Sequence, residues 1–214
     1  MREINLETWY RKEYFNYFKD WTYPHLCLTA NVDMTAYYPY VKKNNFSVNL
    51  AIVYALARSA NEIPEFRQRI RGDIVVEHDI VHPSSTILTE KDLFSFCEFK
   101  YQKNFPDFAK KAEARVEFIK ENRTLEDEPG RDDLIFMTAI PWVSFTNIMH
   151  PINLNPIDSF PRIAWGKFFE EDIHLKMPLS VQAHHSLIDG IHMGKFYEKV
   201  QEYLYEPEFT LGIG

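Results

Sequence analysis

The stretch FSVNLAIVYALARSANEIPEF does most to limit the folds open to this chain. Its spacing predicts a helix that is apolar nearly all round from Val48 to Ala60, and a helix with no polar face has to be enclosed. The segments around it carry a different period. LCLTANVDMT sets Leu26, Leu28, Ala30, Val32 and Met34 on alternate positions, as a half-buried strand does. Strand patterns recur from residue 66 to 101, where RQRIRGDIVVEHDIV breaks at Arg71-Gly72-Asp73, a hairpin turn, and STIL and FSFCEFKY follow. LIFMTAIPWVSF and RIAWGKFFEE read as strands on either side of the proline-rich MHPINLNPIDSFP, and HLKMPLSVQAHH as another.

Three more helices are expected. LETWYRKEYFNYFKD opens after Asn5 as a cap and carries Trp9, Tyr14, Phe15 and Phe18 near helical spacing. Residues 105 to 123 repeat Phe108, Ala112, Val116 and Ile119, and IHMGKFYEKVQEYLYEP lines up Met193, Phe196, Tyr197, Val200 and Leu204 before Pro207 stops it. Strands and helices mixed without strict alternation point to α+β, a two-layer sandwich with a mixed sheet covered by helices. The 214 residues suit a single domain, 1–214, with LEDEPGRDD as a surface loop.

Apolar residues make up 45% of the chain, enough for a substantial core. The net charge is −7 and the basic residues are dispersed, which argues against nucleic acid and anionic membranes as partners. MREINLETWYRKEYF has no apolar core of a signal peptide, and no run of 18 apolar residues occurs, so the cytoplasm is the expected location. Cys27 and Cys97 lack CxxC or metal-type spacing and read as buried free thiols.

SVQAHHSLIDG sets two histidines side by side. In an extended strand Leu179, Val181, Ala183 and His185 share one face, and Ser180, Gln182 and His184 the other, so the two rings cannot act as a unit. Asp189-Gly190 reads as a tight turn, the glycine serving a positive φ or a close backbone approach. His185 then either caps a backbone carbonyl or does chemistry. A metal site is disfavoured, because H-H-x-x-x-D supplies no third ligand at recognisable spacing.

SVQAHHSLIDGIHMGKF resembles the H-H-x-x-x-D-G signature of the chloramphenicol acetyltransferase family, within the CoA-dependent acyltransferases. ETWYRKEYF, PEFRQRIR with DIVVEHDIVHPSSTI, DLFSF, IPWVSFTN and MPLSVQAHHSLIDGIH are also similar to family segments, in family order, over residues 9 to 205. The resemblance implies an O-acetyltransferase that moves acetyl from acetyl-CoA to a small hydroxyl compound, chloramphenicol first among those to try. His185 would be the general base in a ternary complex with no acyl-enzyme, and neither cysteine a nucleophile. Asp189 would pair with Arg11 to hold the histidine loop.

Where family members place an oxyanion-donating serine, this chain has Asn147, with Ser144 nearer Trp142. Asn147 is either that donor, worth about 10²–10³ in rate, or a loop residue capping the backbone. For the acceptor pocket the resemblance implies Phe18 in place of a tyrosine, Phe94 retained, Phe96 in place of an alanine and Ala164 in place of a threonine. For CoA it implies Lys167 and Phe168, with Ser47 and Asn49 replacing a second lysine–tyrosine site and Lys42 or Lys43 nearby. It further implies a homotrimer with sites at subunit boundaries and no metal. The alternatives are a dihydrolipoyl acyltransferase core, which lacks a lipoyl-lysine motif and Ala/Pro linker here, and a trimeric ligand-binding protein of the same fold without the reaction.

Overall fold

The structure is a computed structural model that describes residues 1–126 and 128–212; Asp127, inside the LEDEPGRDD loop, and Ile213 and Gly214 lie outside the described residues. In chain order the elements are β1 (Arg2–Glu3), α1 (Lys12–Phe18), β2 (His25–Asp33), α2 (Tyr37–Lys43), α3 (Val48–Asn61), β3 (Gln68–Arg71) and β4 (Ile74–Glu77). Then come β5 (His82–Leu88), β6 (Phe94–Glu98), α4 (Phe105–Glu121), β7 (Leu134–Ile140), β8 (Arg162–Gly166), β9 (Phe169–Glu171), β10 (His174–His184), α5 (Gly190–Tyr205) and α6 (Pro207–Leu211).

The main sheet runs β2-β10-β8-β7-β5-β6, with β9 beside β10. β5, β7 and β8 are parallel neighbours and the other pairs antiparallel, so the sheet is mixed, as the sequence predicts. The Arg71-Gly72-Asp73 hairpin forms, with Gly72 at φ +60, but joins a separate small sheet, β1-β4-β3. α3, α4 and α5 cover one face of the main sheet. α3 is buried from Leu50 to Ala57, and truncating a side chain such as Leu56 or Ile52 costs about 2–5 kcal/mol. Its first turn is closed by Ser47, whose side chain accepts from Leu50 N at 3.4 Å.

β10 is enclosed on both faces. Met177, Leu179, Val181 and Ala183 enter the helix-side core. Ser180 and Gln182 are covered on the opposite face by the loop after β7, through Ile148 O and His150. Where β8 ends, Gly166 permits a close crossing, since a Cβ there would lie 2.7 Å from both Pro178 Cγ and Val143 O.

Several expectations are corrected. The first helix covers only Lys12–Phe18, and Asn5 Oδ1 instead accepts from Glu7 N at 3.0 Å in a preceding turn. The structure adds two short helices, α2 and α6, to the four that the sequence pattern predicts. The strand of LIFMTAIPWVSF stops at Ile140, leaving Trp142 66% exposed. Asp189-Gly190 is the start of α5, with Asp189 as N-cap accepting from Ile191 N at 3.3 Å; Gly190 has neither a positive φ nor an atom within 4 Å of a would-be Cβ. Both cysteines are free, Cys97 buried and its thiol pushed up to about 11 by burial, whereas Cys27 is only half-buried because β2 is an edge strand.

Candidate active site

β10 ends at His184, and His185 begins the turn into α5. Period two therefore separates the two rings correctly but carries His185 one residue too far into the strand. Its backbone N–H donates to Pro24 O at 2.7 Å and its ring is half-buried. Nδ1 lies 3.1 Å from Ile188 O. A carbonyl only accepts, so in the neutral ring Nδ1 carries the proton and Nε2 the lone pair. The Phe18 ring stacks on the imidazole at 4.2 Å between centroids. The ring is thus fixed in orientation and tautomer, which is what a general base requires.

The turn is anchored from α1. Arg11 is 3% exposed; its Nη1 donates to Asp189 Oδ2 at 2.7 Å and its Nη2 approaches His185 O at 3.4 Å. Burial would raise the Asp189 pKa, but the hydrogen bond and charge of Arg11 outweigh it and hold the carboxyl below its ordinary value. Behind this pair stands a chain that the sequence did not disclose. Asp189 N donates to His192 Nδ1 at 3.2 Å, His192 Nε2 faces Glu65 Oε1 at 3.5 Å, and Tyr10 OH donates to the same oxygen at 2.5 Å. Burial keeps His192 below its usual pKa and neutral; a charged ring would donate instead to Asp189 Oδ1, 2.9 Å away. Burial and then Glu65 push the Tyr10 hydroxyl up to about 12, so it stays a donor.

His184 serves differently. It is 2% exposed, and Ser186 N donates to its Nδ1 at 3.3 Å. Burial, reinforced by His25, pulls its pKa down to about 3, so the ring is a neutral part of the interior. His25 lies across the strand pair at 5.2 Å between centroids, with both ring nitrogens buried and unpaired among the described residues.

A cavity of about 1190 Å³ opens on the sheet. Its position follows from the register: β5 and β7 pair only as far as Ser85 and Met137, and beyond that they separate. Thr86, Leu88, Thr138 and Ile140 line the gap from one face, and Ile87, Met137 and Ala139 belong to the other. Phe94, Phe96, Lys167 and Phe168 all line this one cavity, together with Asn49. Phe168 also packs edge-on against Tyr38 at 5.5 Å. Two expected acceptor-pocket residues lie outside this cavity, as does Ser47, which stands only as a replacement in the sequence reading. Ala164 is fully buried between Thr138 and Ser180, Phe18 is on His185, and Ser47 caps α3.

Asn147 is exposed on the loop that crosses β2, where its Oδ1 accepts from Thr29 Oγ1 at 3.3 Å. That leaves its amide N–H groups as the free end. The same Oδ1 oxygen lies 3.8 Å from Cys27 Sγ; Cys27 is three residues from Pro24, the partner of His185, or about 10 Å along an extended strand, and no hydrogen bond joins Asn147 to His185 among the described residues. Among the described residues no group of three His, Cys, Asp or Glu is arranged to hold a metal, and no helix is long and apolar enough to cross a membrane.

A family model described as chloramphenicol acetyltransferase matches residues 1–201. A chloramphenicol acetyltransferase of Klebsiella sp is 32% identical over 203 residues, 94% of this chain and 92% of the relative. The chain belongs to the chloramphenicol acetyltransferase family. A second relative of that name, from Bacillus pumilus, is 30% identical over 194 residues, 90% of this chain and 88% of its own. A solved chloramphenicol acetyltransferase superposes with a TM-score of 0.83 at 31% identity, over 95% of this chain and 100% of that one. The cubic core of the pyruvate dehydrogenase multienzyme complex, at 19% identity and a TM-score of 0.66 over 87% and 84% of the two chains, shares the fold alone. As a chloramphenicol acetyltransferase family member the chain has the expected α+β architecture.

Proposed function

We propose that the protein transfers acetyl from acetyl-CoA to a hydroxyl of chloramphenicol or a related small molecule. The observation that carries this reading is the His185 Nδ1 contact to Ile188 O, which leaves Nε2 as a free base at a half-exposed turn. Nε2 takes the acceptor's hydroxyl proton as its oxygen attacks the thioester carbonyl. When the carbon–sulfur bond breaks, the imidazolium returns that proton to the departing thiolate, so the ring ends as it began. No covalent acyl-enzyme and no metal enter the proposed reaction.

The cavity supports a division of labour. Phe94 and Phe96 offer an apolar wall to the acceptor, while Lys167 and Phe168 offer a cation and an aromatic face suited to a CoA phosphate and adenine. The separation of Asn147 from His185 within one chain fits a homotrimer in which His185 of one protomer meets the cavity and Asn147 of the next, Asn147 donating to the developing oxyanion. We place this activity in the cytoplasm, where it would inactivate the antibiotic. The test is release of CoA thiol from acetyl-CoA with chloramphenicol and a panel of alcohols. His185→Ala should lower kcat by about 10²–10⁴ with the assembly intact. Turnover that survives the substitution refutes the mechanism, and absence of turnover with every acceptor returns the protein to a binding role.

A further inference from the structure

The cavity wall is mostly aromatic and aliphatic, yet Arg162 and His150 stand in it as well. Arg162 closes its guanidinium fork on Asp158, Nη1 to Oδ1 and Nη2 to Oδ2 at 2.7 Å each, and Nη1 also donates to Phe160 O at 3.1 Å. Both side chains of the pair are 11% exposed, but only Arg162 is a lining residue. Its Nε–H makes no hydrogen bond among the described residues. The guanidinium lies 5.5 Å from the ring centre of Phe136, another lining side chain, which holds its plane against the wall.

His150 is set beside it by backbone bonds to Gln182, N to Oε1 at 2.7 Å and O from Nε2 at 3.3 Å. Burial, and then the Arg162 charge, pull its pKa down to about 4, so the ring is neutral. Arg162 therefore presents an unused donor whose charge Asp158 already compensates. An anion entering here loses its hydration and meets a pair of no net charge, and a cation meets the guanidinium itself. An uncharged oxygen gives up far less hydration and satisfies the free N–H. The remaining charged lining residues, Lys167 and Asp92, are exposed.

We propose that Arg162, beside His150, forms a polar subsite of the acceptor cavity that selects hydroxyl compounds carrying an uncharged oxygen group, such as nitro, sulfonyl or amide carbonyl, away from the transferred hydroxyl. This rests on the assignment of the cavity to the acceptor.

The test uses the full chain and a matched set of acceptors: chloramphenicol, its analogue with hydrogen in place of the nitro group, and the analogue with a carboxylate there. Kd is measured by calorimetric titration without acetyl-CoA, and kcat/KM with it, for wild type, Arg162→Met and Arg162→Lys. Wild type should prefer the nitro compound over the hydrogen compound about tenfold in both quantities, and the carboxylate should gain nothing. Both variants should lose that preference while still binding the hydrogen compound. Asp158 keeps its bonds from Asn153 N at 3.0 Å and Phe160 N at 3.3 Å, and Arg162→Lys keeps a cation beside it should Arg162→Met fail to fold. No preference in wild type, an undiminished preference in the folded variant, or tighter binding of the carboxylate overturns the subsite. Equal turnover of the nitro and hydrogen compounds overturns the subsite alone, whereas failure of all three to bind or react overturns the acetyltransferase reading with it.

Discussion

The ring of Phe18 lies face to face with that of His185, 4.2 Å apart and inclined by 21°. Phe18 ends α1 and His185 follows β10, so the stack joins opposite ends of the sequence. With Ile188 O on Nδ1, it leaves the imidazole little freedom to rotate. Phe18→Ala should cut kcat about ten- to a hundredfold while KM for acetyl-CoA stays within about twofold, because a base misplaced by an ångström loses its alignment. Phe18→Leu should fall between, and Phe18→Tyr, which keeps the ring, should stay near wild type. Steady-state kinetics decide it, and a fully active Phe18→Ala would remove the stack from the mechanism.

Arg11 and Asp189 form the anchor of that turn, 178 positions apart in the chain. Loss of either partner should cost about 3 kcal/mol, the lower end for a buried pair because Asp189 is 25% exposed. The carboxyl pKa is lower folded than unfolded, so this stability is present above the unfolded value of about 3.9 and is lost as pH falls through the folded one. Urea unfolding of wild type and Asp189→Asn should show a gap at pH 7 that narrows below about pH 4. A constant gap down to pH 3 would contradict the assignment.

Glu65 and Tyr10 act through His192 and are positioning residues. Glu65→Gln keeps the shape but removes the charge that His192 Nε2–H and Tyr10 OH share. It should lower kcat about three- to tenfold, with KM for both substrates and the melting temperature nearly unchanged, a split that a purely structural role does not give. Glu65→Asp should restore part of the loss. A change confined to melting temperature would show that the chain only stabilises α5.

Acid should weaken the interior. Burial depresses His184 to about 3 and His150 to about 4, and lowers His25 as well. Below about 6.5 the unfolded chain therefore binds more protons than the folded one. Stability from these rings is complete above that pH and drains away as pH falls toward 4. The melting temperature followed from pH 8 to 4.5 should drop steadily below about 6.5, and His184→Gln should flatten the curve. A flat wild-type curve would mean that the rings are solvated.

How far the sequence disclosed all this depended on whether a feature is local. The place of α3 is legible within a few residues because the apolar run from Leu50 to Ala57 is broken only by the Tyr54 hydroxyl. α2 escaped because YYPYVKK has no periodic stripe and its Pro39, harmless in a first turn, suggests a break. His185, Asp189 and Arg11 are legible through family resemblance; alternation along a strand separates His185 from His184 but carries no sign that β10 ends between them. Glu65 and Tyr10 were out of reach, since an ordinary glutamate and tyrosine carry no mark of a partner 55 positions away. Arg162 escaped for a related reason: its role in the wall depends on Asp158 taking one side of its guanidinium and not the other.

At the margin of the main sheet, β2 runs nine residues with β10 on one side and no strand on the other among the described residues, and Leu28 and Ala30 are exposed along it. Leu28 O accepts from Tyr197 OH at 2.9 Å, and Gln201 bonds the backbone N and O of Asp33, so what a second ribbon of polypeptide could add to is the rest of this ledge. For the proposed homotrimer, a protomer released by dissociation would bare this ledge and be prone to strand-to-strand aggregation.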